Sequence, residues 1–373
     1  MRDHLLRMFH AGIAASHPAA VLPRHLPAER PRVVLAIGKA AGAMAKIAEA
    51  HYPGIEGLAV VPHGWDADLA SIALIHAGHP VPDKHSVTAA ERLLTLAGDG
   101  GALVLLSGGA SALACLPGEG VTLAGKQALT GALLRSGAAV DEINCVRRHL
   151  SRIKGGGLPA ALTLAISDVV GDRPEDIGSG PTVADPTTVA DAKAILDRYG
   201  LHAPLGETPK QVPGEFRLIA GAGDLLGAAA GEAERLGYRP VLLGQCTGEA
   251  RDVGRQHAET ARTLPPGSAL ISGGELTVTV TGAGRGGPNL EYALGAAALL
   301  ADRPDITGLA ADSDGIDGNS NAAGAFFSGA DAAGAAALAS NDSAAWFAAS
   351  GGLFQPGPTG TNVNDLRIIL VAP

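Results

Sequence analysis

Short apolar runs recur along the chain, and alanine-rich stretches with helical spacing of their apolar positions lie between them. The runs at 33–37, 58–61, 72–75, 103–106 and 162–166 predict strands in the first half. Those at 217–220, 240–243, 269–272, 276–281, 307–310 and 367–371 predict strands in the second. Most are uninterrupted apolar runs, as expected of mainly parallel strands buried on both faces by helices. LTVTVT at 276–281 instead alternates threonine with apolar residues, which predicts a half-exposed antiparallel strand. The N-terminal stretch predicts an amphipathic helix capped by Asp3, with Leu5, Leu6, Phe9 and Ile13 on one face. The Ala/Gly tract at 330–349 predicts a helix packed closely on a sheet. APLGETPKQVPGE has no apolar period, so a domain boundary is expected near Thr208, giving an N-terminal Rossmann-like domain 1–208 and a C-terminal domain 209–373.

Composition narrows the function. Of 373 residues, 46% are hydrophobic and 17% charged, enough to bury sizeable cores. A net charge of −9 and few aromatics argue against nucleic acid as a partner. Cys115, Cys145 and Cys246 are too scattered for a disulfide framework or a CxxC metal site, so buried thiols are expected. No run approaches the ~18 apolar residues of a membrane span. The N-terminus has no signal-peptide pattern, and a soluble cytoplasmic protein with no membrane partner is the expectation.

The 52 glycines, about twice the usual share, have no three-residue period and gather where predicted strands end. Backbone amides and helix N-termini face ligands at such places. AIGKAAGA puts Lys39 at the start of a helix but lacks the spacing of a phosphate-binding GxxxxGK[ST] loop. Ser107-Gly108-Gly109-Ala110-Ser111 forms a candidate anion nest and fails the GxSxG hydrolase pattern. VRRHLSRIKGGGL is the densest positive patch, with Arg148 and Arg152 four apart on a helix, His149 beside them and Lys154 before a glycine stop. Asp168 follows a strand, and Asp172, Asp176, the Gly178-Ser179-Gly180-Pro181 turn and Asp185 come next, a setting that suits hydrated Mg²⁺ bridging phosphates.

Gly282, Gly284 and Gly287 fit GxGxxG, with Asp302 and Asp305 at about the spacing of a dinucleotide site. The alternating run before them and Arg285 inside the loop weaken that reading. Asp312, Asp314 and Asp317 form an acidic loop without EF-hand spacing, and PTGTNVNDL brings Thr359, Thr361, Asn362, Asn364 and Asp365 before the last strand. His76 and His79 flank AGHPVPD without metal-site spacing and read as structural or substrate-edge residues. A lysine at a helix start, glycine nests, a basic helix and acidic strand ends are the parts needed for phosphoryl transfer by positioning and charge neutralisation.

In order, AIGKAAGAMA, SGGASALAC, VRRHLSRIKGGG, ISDVVGDRPEDIGSGPTVADPTT, ISGGELTVTV, GRGGPNLEYAL, DSDGIDGNSNAAGA and TGTNVNDL resemble the motif series of the glycerate 2-kinases, also called MOFRL proteins and often named hydroxypyruvate reductase. The resemblance implies two α/β/α sandwich domains with mainly parallel sheets and an active site in the cleft between them. It implies transfer of the ATP γ-phosphate to the 2-hydroxyl of D-glycerate with Mg²⁺. By the same resemblance Lys39 and Arg285 are catalytic candidates, and Asp168, at its strand end, is a further candidate for catalytic base. Ser107, Gly108, Gly109, Ser111, Arg148 and Lys154 would hold substrate or phosphate. Gly273, Gly274, Glu275, Asn289 and Asn362 would hold nucleotide, and Asp168 and Asp314 metal. A homodimer is compatible with it. Two positions depart from the family pattern: Pro288 stands where many relatives have arginine, and Gly157 where a basic residue often follows KGG. The alternative is an NAD(P)H-dependent hydroxypyruvate reductase, as the family's other name suggests.

Overall fold

The computed structural model describes residues 1–329 and 332–373 and divides into two compact units, Pro18–Ile219 and Met1–His17 with Ala220–Pro373. In the first, β1 (Val33–Ile37), β2 (Gly57–Pro62), β3 (Ile72–Ala77), β4 (Ala102–Leu106), β5 (Leu162–Ile166) and β6 (Glu215–Ala220) form one sheet ordered β3-β2-β1-β4-β5-β6. The β1–β2, β2–β3, β1–β4 and β4–β5 pairs are parallel. Every residue of VVLAI and ALVLL is buried, the reason these strands read as continuous apolar runs. Helix Lys84–Ala97 starts at a capping box made by Asp83 and Ser86. Its Ala89, Ala90 and Leu93 pack with Leu35, Val60 and Val104 in the main core.

The second unit's sheet is ordered β11-β10-β9-β12-β8-β7, from β7 (Arg239–Gln245), β8 (Ser268–Gly273), β9 (Ile306–Asp312), β10 (Gly324–Phe327), β11 (Leu353–Phe354) and β12 (Asp365–Val371). Only β7–β8 is parallel here. β12 runs antiparallel to both β8 and β9, and β10 is antiparallel to β9 and β11. This sheet is therefore mixed, where the apolar runs suggested mainly parallel strands. A strand buried on both faces has the same composition in either direction, so composition could not settle it.

Four further expectations change. The segment at 276–281 is no sheet strand: beyond an isolated bridge between Thr277 and Glu249, its donors go to side chains. The Thr279 N–H donates to Glu249 at 3.1 Å, and those of Thr281 and Gly282 to Asn341 Oδ1 at 2.7 and 2.9 Å. The boundary near Thr208 shifts because the segment around it is bound into the first unit. Thr208 is buried with its hydroxyl on Asp185 at 3.0 Å, and Gly206 N–H donates to His149 O at 2.9 Å. The N-terminal helix, Arg2–Ser16, follows Met1 as its cap and has Asp3 in its first turn. It buries Leu5, Met8 and Phe9 in the second unit, leaving Leu6 and Ile13 partly exposed, with Gly12 close against Leu225 of helix Ala222–Arg235. The alanine-rich tract makes two helices, Ala332–Ala339 and Ser343–Ser350, around Asn341 at φ 54°. Ala330 and Asp331 lie outside the described residues.

Candidate active site

In the first sheet the strand order reverses between β1 and β4, where open α/β sheets form a crevice outside the carboxyl ends of their strands. Lys39 leaves β1 there, Ser107-Gly108-Gly109 leaves β4, and Asp168 follows β5, the neighbour of β4. The loops touch because Gly38, at φ 132°, has no side chain: a Cβ would lie 2.1 Å from Ser107 Oγ. Lys39 N–H donates to Gly108 O at 2.8 Å, and Ala40 N–H donates to Ser107 Oγ at 3.0 Å. Fully buried Ser107 thus fixes the start of helix Ala41–His51 and holds Lys39 half-buried. A Cβ on Gly109 would lie 3.0 Å from His79 Cδ2 and 3.4 Å from Lys39 Cγ, so both side chains border this loop.

Three glycine clusters that are distant in sequence meet around Ser111. Its Oγ lies 3.0 Å from Ser179 Oγ, and Lys154 Nζ donates to Ser111 O and Oγ at 2.7 and 2.8 Å. The N–H groups of Gly155 and Gly156 donate to Ser179 O and Gly180 O at 3.1 and 2.8 Å. Beside Ser111 opens a cavity of about 470 Å³. Lys126, Arg147 and Lys154 line it, and so do Val81, Pro82 and Leu134. Lys126 and Lys154 are buried, and Lys126 Nζ donates to Leu150 O at 3.0 Å. Burial, aided by repulsion from Arg147, holds Lys126 down to about 8; Lys154 is driven well below the ordinary lysine value by burial and its cationic neighbours.

The neighbouring arginines are employed differently. Arg148 is buried, with Nε 2.9 Å from Asp185 and Nη1 3.5 Å from Asp176 and 3.2 Å from Glu175 O. Its charge is neutralised within the fold, so it braces the site instead of facing a ligand. Arg152 lies beyond the end of helix Val140–His149 and is exposed, so the expected four-residue pair does not form.

In the second unit, β8 and β9 end where antiparallel β12 begins, with Asp365 opposite Asp312 and Arg367 opposite Ser272. The loop before β12, with Asn362, therefore reaches the same sheet edge as Gly273-Gly274-Glu275 and the Asp312–Asp317 loop. Arg367, 1% exposed, donates to Gly273 O at 2.8 Å and Gly274 O at 3.0 Å and pairs with Asp365. Asn289 Nδ2 donates to Asp365 Oδ1 at 2.7 Å. Asp317 accepts the N–H groups of Asn289 and Leu290 at 3.0 and 2.9 Å, capping helix Pro288–Ala297. Burial lifts Asp317 to about 7. The helix that follows GxGxxG thus has its first amides taken by a carboxylate, and no sheet strand precedes the loop. A dinucleotide pyrophosphate has no seat there. Arg285 is exposed, with Nη2 donating to Asn319 O at 3.0 Å.

For Mg²⁺, the donors are hard carboxylate oxygens at strand ends. Asp168 is partly exposed, and Asp314 is buried with Oδ1 accepting Ile316 N–H at 2.8 Å. Neither belongs to a preformed three-ligand group; among the described residues that is His63, Asp83 and His85. Mg²⁺ needs only one or two carboxylates beside phosphate oxygens and water, so Asp168 and Asp314 fit it.

The family described as a domain of unknown function, DUF4147, matches residues 4–212, and the MOFRL family matches 268–365. A glycerate 2-kinase from Pyrococcus horikoshii is 38% identical, covering 91% of this chain and 87% of its own. The crystal structure of a glycerate kinase from Thermotoga maritima superimposes with a TM-score of 0.88 at 36% identity, over 99% of both chains. The chain belongs to the glycerate 2-kinase family. A relative from Agrobacterium vitis, 42% identical over 99% of this chain and 94% of its own, is named provisionally as a hydroxypyruvate reductase.

Both departures from the family pattern have local causes. Pro288 opens helix Pro288–Ala297, where its missing N–H costs nothing. A Cβ on Gly157 would lie 2.4 Å from Arg152 O, so this backbone admits no basic side chain there. The sequence reading missed Lys126 and Arg147. Arg147 sits inside a quoted motif, one residue before Arg148, and Lys126 is the one charge within the first two turns of helix Leu123–Arg135.

Proposed function

We infer that the protein is an ATP-dependent kinase that transfers the γ-phosphoryl group to the 2-hydroxyl of D-glycerate, giving 2-phosphoglycerate. The observation that carries the reading is that Lys39 and the Ser107–Ser111 loop leave adjoining strands at the order reversal of a six-stranded sheet and touch there, with Asp168 after the next strand. In this reading Lys39 neutralises charge on the transferring phosphoryl, and Arg285, an exposed cation, is the second basic catalytic candidate. Asp168 accepts the proton of the substrate hydroxyl or holds metal, and Asp314 is the second metal candidate. Gly273, Gly274, Glu275, Asn289 and Asn362 belong to the nucleotide side. Asp168 or Asp314 would hold Mg²⁺, which would supply positive charge to offset that of the phosphates.

A reductase reading draws on the Agrobacterium relative's name alone, and the capped GxGxxG helix speaks against it. Purified protein is incubated with D-glycerate, ATP and Mg²⁺, and separately with hydroxypyruvate and NADH. ADP formation without NADH oxidation is expected, and the reverse overturns the kinase reading.

A further inference from the structure

The cavity beside Ser111 holds a charge imbalance that the phosphoryl-transfer parts leave unexplained. Lys126, Arg147 and Lys154 share its wall, and among the described residues none of them pairs with a carboxylate. The Arg147 side chain makes no hydrogen bond to the protein among those residues. Lys126 and Lys154 each give two N–H groups to acceptors of the chain, which leaves each one donor to spare. Clustered cations in a low-dielectric wall repel one another, and an anion between them removes both the repulsion and the missing hydrogen bonds.

The cavity also has direction. Gly109 and Ser111 line it, and Gly109 borders Lys39, so the pocket opens onto the strand-end loops. An acid whose carboxylate met the three cations would present its neighbouring hydroxyl toward that loop. The planar Arg147 fork matches a carboxylate in bidentate fashion. Part of the remaining wall is apolar, with Pro80, Val81, Pro82 and Leu134 beside the polar Gln127 and Thr130, and Val81 and Leu134 are 62% and 59% exposed at the rim. At about 470 Å³ the space falls within the ~300–1,000 Å³ of pockets for drug-sized ligands, well beyond a three-carbon acid.

We propose that Lys126, Arg147 and Lys154 form the carboxylate subsite of the acid substrate, and that the apolar wall admits 2-hydroxy acids with larger aliphatic tails than glycerate. This rests on the kinase reading above for which acid is bound, while the anion subsite itself is open to direct binding measurement.

Steady-state kinetics and calorimetric titration of D-glycerate without ATP test it together. Arg147→Ala is expected to raise KM for D-glycerate roughly 10- to 100-fold, the worth of charged hydrogen bonds, with KM for ATP within about twofold. Lys126→Met moves in the same direction, and Arg147→Lys recovers part of the loss. Calorimetric affinity for D-glycerate falls in parallel. In the wild type, 2-hydroxy-4-methylpentanoate at millimolar concentration competes with D-glycerate or is itself phosphorylated. An unchanged glycerate KM in both variants overturns the subsite, and a rise in ATP KM instead reassigns it to phosphate. Absence of competition by the larger acid overturns the second half. If the wild type makes no ADP with D-glycerate the kinase reading fails, and the titration still decides whether these cations bind a 2-hydroxycarboxylate.

Discussion

At the edge of the first sheet, Lys126, Arg147 and Lys154 stand around a cavity with no carboxylate of the described chain beside them. At the edge of the second, Arg367 is as buried as Lys126 and Lys154, yet Asp365 pairs with it and the carbonyls of Gly273 and Gly274 accept from its two Nη groups. Asn289 ties Asp365 to Asp317, so the charged groups of that edge are joined to one another. A buried charge without a partner is expensive and marks a place for a ligand; a buried charge with partners holds loops in position. Within one helix, Arg147 and Arg148 repeat the contrast at adjacent positions.

Arg148→Ala gives the largest expected effect. It strands Asp185 in the interior, and a loss of about 3–5 kcal/mol is expected from urea unfolding. If stability is unchanged, Arg148 is no brace, and the contrast with Arg147 collapses. Lys39→Ala is next: turnover of ADP formation falls roughly 100- to 1,000-fold while circular dichroism stays that of the wild type. Retained turnover would move the phosphoryl-handling role away from the β1 loop.

The closed network at the second edge has a signature in pH. Burial raises Asp317 from 3.8 to about 7. Between those values the unfolded chain has lost the proton and the folded chain keeps it. The group's contribution is therefore fully present below about pH 4 and is lost as pH rises through 7. Asp317→Asn removes that dependence, so stability of the wild type relative to the variant falls with rising pH by up to about 1.4 kcal/mol per unit across this window. His257, buried and held down to about 4, has the opposite slope between there and 6.5 but is common to both proteins. Equal slopes would mean that Asp317 titrates as an ordinary carboxylate. Arg152→Ala is the smallest change. Exposed and off the helix, it should alter stability by less than about 0.5 kcal/mol and leave glycerate KM unmoved.

The strands of the first sheet were legible because parallel strands under helices on both faces must be apolar throughout, and VVLAI and ALVLL are. β10 and β11 escaped notice: GAFF and LF are too short to show a period inside a glycine- and alanine-rich region. LTVTVT had a strand's alternation, but Glu249 and Asn341 take the donors that a neighbouring strand would need.

Local sequence determined where the loops come from, because strand ends, glycines of positive φ and helix caps follow from neighbouring residues. Lys39, the Ser107–Gly109 nest and Lys154 could be read in that way. Tertiary structure alone decided which charges are spent and which are free. Successive helix positions point about 100° apart, so packing turned Arg148 toward Asp185 and Arg147 toward the cavity. It also carried Lys126, from a separate helix, to the same wall. The balance of a buried charge depends on every element packed around it, and no stretch of sequence contains them all.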